Sequence, residues 1–96
     1  DGEAQFIGAD LSLTTCNHTD FSHADFTDAR LARASLIDAQ LVHANLTRAD
    51  LTGADLSFAD LSEANVTDAI FTDAIFSNDT ICPDGRTAAE VPLCGL

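Results

Sequence analysis

The sequence predicts an all-β solenoid, a square coil of about four turns. Three observations carry that expectation. Every fifth residue from Phe6 is apolar or Cys: Phe6, Leu11, Cys16, Phe21, Phe26, Leu31, Leu36, Leu41, Leu46, Leu51, Leu56, Leu61, Val66, Phe71, Phe76 and Ile81. The residue two places before each is small, an unbroken series from Ala24 to Ala74 that ends at Asp79. The other three positions are mostly Asp, Asn, Ser, Thr, His and Arg.

A helix repeats every 3.6 residues and a strand every 2, so a strict five slides off either face within a few turns. A coil that returns each fifth residue to an equivalent inward direction satisfies the pattern, and four fives close a square turn. Stacked turns pair through backbone hydrogen bonds, so a four-turn stack is roughly 19 Å high at the usual strand spacing. The Ala positions are small because backbone from the adjoining side crowds them, and the Leu and Phe positions fill the centre. Thr14, Cys16 and Thr19 depart from the pattern, which predicts a less regular first turn. Ile70 and Ile75 stand where Asp or Asn is usual.

The run A-(D/N)-L-x-x, clearest in ANLTR, ADLTG, ADLSF, ADLSE and ANVTD, resembles the pentapeptide-repeat proteins over residues 4–83. The resemblance implies a right-handed quadrilateral β-helix. The expected organisation is an N-terminal extension (1–3), the β-helix (4–83) and a C-terminal capping tail (84–96).

A chain of 96 residues makes one domain, too small for a two-layer enzyme with a deep cleft. Sixteen acids against four Arg and no Lys give a net charge of −12. That balance argues against nucleic acid binding, which needs clustered cations, and suits basic partners or plain solubility. No apolar run approaches the roughly 20 residues of a membrane span. The chain opens at Asp1 without Met, which fits a removed leader or a cut fragment. Phosphate loops, nucleophile elbows, HExxH and paired CxxC are missing, so neither an enzyme nor a cofactor is expected.

Cys82 and Cys94 flank the only non-repetitive stretch, CPDGRTAAEVPLC. No further Cys or His lies nearby to complete a metal site, so the expectation is a disulfide that folds the tail across the C-terminal coil and covers Ile70 and Ile75. Closing a loop of this size contributes about 3 kcal/mol in the chain-entropy model. Cys16 occupies an inward position beyond reach of either tail cysteine. A disulfide implies an oxidising compartment, so export to periplasm, extracellular space or a thylakoid lumen is expected. Some exported pentapeptide-repeat proteins carry a similar Cys-flanked tail.

Residues twenty apart stack, so the exterior reads as ladders. Asp28–Arg48–Asp68 alternates charge and reads as relief on an acidic surface. His23, His43 and Glu63 form a ladder that could hold a weak divalent metal, although all three are exposed. Ile37 and Phe58 fall on adjacent rungs of one side and form the candidate interaction patch. Asp50, Asp55 and Asp60, with Asp10, Asp20 and Asp25, are the largest acidic feature. Some members of the resembled family mimic duplex DNA and occupy DNA gyrase in its place. Here each Asp is also a motif position whose side chain can bond turn backbone. Of four N-x-T triplets, at Asn17, Asn45, Asn65 and Asn78, those at Asn45 and Asn65 arise from the repeat itself. The reading is a non-enzymatic acidic scaffold for an unidentified protein partner, a monomer or weak end-to-end dimer. The alternatives are a gyrase-directed DNA mimic and a weak metal binder.

Overall fold

The computed structural model describes residues 4–96. From Gln5 onward every fifth residue bridges in parallel to the residue twenty further on: Gln5 to Asp25, Asp10 to Arg30, Thr15 to Ser35, Asp20 to Gln40, and so on to Asp55 and Ile75. Each side of the square contributes one short extended segment, and each turn lies on the one before it. Three backbone hydrogen bonds join each side to the next turn. On one side Leu51 N–H donates to the Ile70 carbonyl at 2.7 Å, Gly53 N–H to Thr72 at 2.8 Å, and Ile70 N–H back to the Ala49 carbonyl at 2.9 Å. The ladder therefore runs along the rod, as a parallel sheet wrapped around four sides.

The corners explain why five residues suffice for a side. The Ala54 N–H returns to the Leu51 carbonyl at 3.0 Å, and Ala9, Ala24, Ala34 and Ala49 close onto Phe6, Phe21, Leu31 and Leu46 in the same way. Only the second of the two intervening residues has positive φ: Gly8 at 67°, Leu13 at 65°, Phe58 at 60°, Asp68 at 57°. A bond of this span with positive φ at the third residue is a type II turn. Gly supplies that conformation at Gly8 and Gly53, but Leu13, Arg33, Phe58 and nine other L residues hold it as well.

The turn directs Ala and the central apolar residue inward. Phe26, Leu31, Leu36, Leu41, Leu46, Leu51, Leu56 and Leu61 are fully buried, together with Ala24 through Ala59. Phe6, Leu11 and Cys16 at one end, and Val66, Phe71 and Phe76 at the other, are half-buried against that core. Three aromatic rings fill the beginning of the column: Phe6 stacks on Phe26 at 4.9 Å, and Phe21 meets both edge-on. The first turn keeps the twenty-residue register through Thr14, Cys16 and Thr19, and the irregularity expected there is confined to the corner at Thr19, whose N–H does not return to the Cys16 carbonyl as the Ala corners do. Ser35 lacks the Asp-type cap, and Asn17 from the rung below replaces it, its Oδ1 accepting from Ser35 Oγ at 2.6 Å and Ile37 N–H at 3.0 Å.

The last turn departs from the count of five. Asp60 bridges to Ile81, an offset of 21, so one residue is inserted between Phe76 and Thr80. Ile81 therefore leaves the core stack and occupies the outward bridge position, half-buried. Thr80 takes the small inward place and Cys82 the central one, both buried. The Thr80 hydroxyl donates to the Leu56 carbonyl at 2.8 Å and accepts from Ser77 N–H at 3.0 Å, which satisfies the one buried polar side chain among the described residues. Ser77 Oγ in turn accepts from Phe58 N–H at 2.9 Å, in place of the usual backbone carbonyl.

Beyond Cys82 the chain doubles back. Cys82 N–H donates to Arg86, Ala88 N–H to Thr80, and Ile81 bridges Thr87 in antiparallel fashion. A short 3-10 turn, Pro92–Gly95, brings Cys94 to Cys82, and the two form a disulfide. The tail covers one side of the last turn only. Ile70 and Ile75, expected beneath it, remain 46% and 52% exposed.

Candidate interaction surface

The outward carboxylates are built into the turns. Asp50 Oδ1 accepts from the Thr52 N–H at 3.0 Å and the Thr52 hydroxyl at 2.5 Å. Asp25, Asp55 and Asp60 repeat the double bond with Thr27, Ser57 and Ser62, and Asn45 and Asn65 make it through an amide oxygen. Asp10 and Asp20 accept from the backbone of Ser12 and Ser22. These donors hold the Asp25 and Asp50 carboxyls below the usual carboxylate range, chiefly through the Thr hydroxyls. At Asp10 and Asp20 the backbone bond is the larger cause. One oxygen of each carboxylate is thus committed to the fold, and the Asp position serves the turn as Asn does.

Of the charge ladder, one rung closes. Arg48 grips Asp28 with two bonds, at 2.8 and 3.2 Å, while Asp68 contributes only a weaker attraction. His18 lies 3.4 Å from Asp38 on another side. The rings of His23 and His43 stack face to face, 5.0 Å apart and within 11° of parallel. That corrects the metal expectation for His23, His43 and Glu63. Ring-plane lone pairs on stacked imidazoles run side by side and do not converge on one point. Among the described residues no three His, Cys, Asp or Glu side chains are grouped to hold an ion.

The two patch residues differ. Ile37 is half-buried and its N–H is held by Asn17, whereas Phe58 stands 52% exposed on a positive-φ corner. The inward space is filled by Ala and Leu, and no cavity opens among the described residues. No helix there is long and apolar enough to cross a membrane. Cys16 is a free thiol beside the Thr14 hydroxyl, 3.3 Å away.

Sequence reasoning missed three features. Asn17 read only as an N-x-T triplet, yet it caps a neighbouring rung. Thr80 went unnoticed as a buried bonding residue, although an Asp at the small position was its signal. The exposed apolar rim at Ile70 and Ile75 was expected to be covered.

The family model for pentapeptide repeats matches residues 3–36 and 39–78 in eight copies. No curated protein gives a match. Among solved structures, a pentapeptide-repeat protein of the Arabidopsis thaliana thylakoid lumen is 37% identical, over 77% of this chain and 48% of its own, with a TM-score of 0.52. HetL, a pentapeptide-repeat protein involved in heterocyst differentiation regulation in the cyanobacterium Nostoc, is 30% identical over 88% of this chain and 49% of its own, with a TM-score of 0.50. A second Nostoc pentapeptide-repeat protein is 28% identical over 93% of this chain and 82% of its own, with a TM-score of 0.50. The chain spans about half the length of the first two.

Proposed function

Because the chain belongs to the pentapeptide-repeat family, whose members fold as right-handed quadrilateral β-helices, we propose that it is a non-enzymatic, acidic interaction rod of four coils working in an exported compartment. One observation carries this reading: the interior is solid apolar packing, so the Asp, Glu, His and Arg side chains of the described residues all lie on a convex outer surface. A convex surface offers no enclosed site in which to shift a catalytic pKa toward neutrality. The turn donors hold Asp10, Asp20, Asp25 and Asp50 the other way, below the usual carboxylate range, which keeps those groups charged and weakly basic. Such a surface suits recognition of a basic protein partner through a flat side, with Phe58 as the exposed aromatic contact.

The Cys82–Cys94 disulfide closing the tail supports the exported location. The thylakoid-lumen source of one solved relative is consistent with it. Counting thiols by alkylation and mass spectrometry of protein taken from its native source tests the compartment. One free thiol, Cys16, is expected, and three would defeat the exported reading. A photoreactive side chain placed at Phe58 tests the recognition surface in the same cells. Partner adducts are expected there, and an identical adduct pattern from Asp73 on another side would count against it.

The net charge of −12 keeps a gyrase-directed DNA mimic as a second reading. Inhibition of supercoiling by micromolar protein would favour it over the scaffold reading.

A further inference from the structure

The chain has six phenylalanines, and five of them are central residues that pack ring on ring in the column. Phe58 is the sixth. It pairs with no other ring and stands 52% exposed on a corner, at a φ of 60° that backbone sterics disfavour for a bulky residue. The other corners of the coils carry Gly, Asp, Glu, His or Arg, with Leu13 as the one further apolar residue.

A second departure from the repeat falls on the same corner. The residue inserted between Phe76 and Thr80 lies in the turn above Phe58, whose N–H therefore reaches Ser77 Oγ at 2.9 Å. The equivalent N–H of Asp38, one rung below, reaches the Ser57 carbonyl. The tail braces the insertion, since Ala89 N–H donates to the Asn78 carbonyl at 3.2 Å.

The ring is bracketed by carboxylates that the fold holds in place. The side carrying Thr15, Ser35, Asp55 and Ile75 meets the side carrying Asp20, Gln40, Asp60 and Ile81 at the corner column His18, Asp38, Phe58. Asp55 and Asp60 flank that corner. Each commits Oδ1 to a serine, Ser57 or Ser62, and leaves Oδ2 without a hydrogen bond. Asp38 is half exposed, with the His18 ring 3.4 Å away. No arginine shares the corner: Arg33 and Arg48 occupy other corner columns, Arg30 a bridge on another side, and Arg86 pairs with Asp84.

An apolar contact alone favours apolar neighbours, and a cation-attracting surface alone needs no ring. The two together match a guanidinium, which stacks flat on an aromatic face and offers its fork of N–H donors to carboxylates beside it. An ammonium is a compact, strongly hydrated charge and exploits the pair less well. We infer that the Phe58 corner receives an arginine side chain of the basic partner, with Asp38, Asp55 and Asp60 supplying the acceptors. This rests on the interaction-rod reading and adds the chemistry of its contact.

Titration of the oxidised protein with the peptide Gly-Arg-Gly-Arg-Gly, followed by backbone amide chemical shifts at physiological salt, tests this. Saturable shifts centred on residues 55–60 and 38 are expected, with about threefold weaker binding of the Gly-Lys-Gly-Lys-Gly peptide. Phe58→Leu keeps the net charge and the apolar character but removes the ring, and should weaken the arginine peptide about threefold while leaving the lysine peptide nearly unchanged. Asp38→Asn should weaken binding more than Asp73→Asn, which makes the same charge change on another side. A circular dichroism spectrum and a urea midpoint retained in each variant exclude misfolding as the cause. Shifts spread evenly over the four sides, equal affinity for the two peptides, or an arginine affinity unmoved by Phe58→Leu would each overturn the inference. A peptide titration without saturation would overturn it as well, yet partner adducts from a photoreactive residue at position 58 would then still uphold the interaction rod. Absence of both would remove the reading beneath it.

Discussion

The corner residues offer a pair of opposed substitutions. Leu13 holds φ at 65° and is 74% exposed, so it bears the left-handed conformation with little packing in return. An L residue in that region costs about 1–2 kcal/mol. Replacement by Gly removes that cost but adds freedom to the unfolded chain, worth about 0.4–1 kcal/mol. Leu13→Gly is therefore expected to stabilise by roughly 0.5–1 kcal/mol. At Gly53, φ is 68° and an added Cβ would lie 3.1 Å from Arg33 Cγ, the stem of a side chain that can move. Gly53→Ala is expected to destabilise by a similar amount. Urea unfolding measures both, and with a slope of about 1–3 kcal/mol per molar the midpoints should separate from wild type by roughly 0.5 M in opposite directions. A Leu13→Gly midpoint below wild type, or a Gly53→Ala midpoint above it, would refute the account of the corners.

Three further outcomes follow from the packing and the turns. Leu51→Ala empties a fully buried central position and should cost about 2–5 kcal/mol, read from the same urea midpoints. Thr80→Val strands Ser77 N–H, while the Leu56 carbonyl keeps its bond from Ala59, and should cost about 1–3 kcal/mol. Native-state hydrogen exchange should show the loss confined to the last turn. The Asp50 carboxyl is lowered from its ordinary 3.8 by Thr52, so its contribution is complete above that value and fades as pH falls through the still lower folded value. Asp50→Asn keeps the turn, as Asn45 does, and should flatten the fall in stability between pH 5 and 2, about the range over which a paired carboxylate titrates.

The repeat made most of the rod legible. A period of five with Ala at one fixed place and Leu or Phe at another leaves few ways to bury both, and the bridges at an offset of twenty are that solution. The failure at Ile81 has a physical cause. After Phe76, five more residues still reach an apolar side chain, so the count continued although the coil had gained a residue. Asp79 at a place too tight for a carboxylate was the mark of that insertion, and Thr80-Ile81-Cys82 reads as the displaced small, bridge and central residues. Surface details were less legible. Spacing placed His23 above His43, but stacking of the rings depends on rotamers that spacing does not encode. Leu13 and Phe58 gave no sign of positive φ, because backbone propensity disfavours both residues there and the stacked turns impose it. The disulfide partners were readable from their flanking positions, while the narrow reach of the tail depended on the inserted residue.

The twenty-residue parallel register is the premise of every statement above, and engineered cross-links test it most directly. On a Cys16→Ser background, Thr47→Cys is combined with Thr67→Cys, which the Arg48 N–H bond to the Thr67 carbonyl places on the next rung. The control combines Thr47→Cys with Thr72→Cys, one side further around. Mild oxidation followed by peptide mass mapping should join 47 to 67 rapidly within one molecule and leave 47 and 72 largely reduced. Equal yields from the two pairs, or preference for 47 with 72, would contradict the square coil.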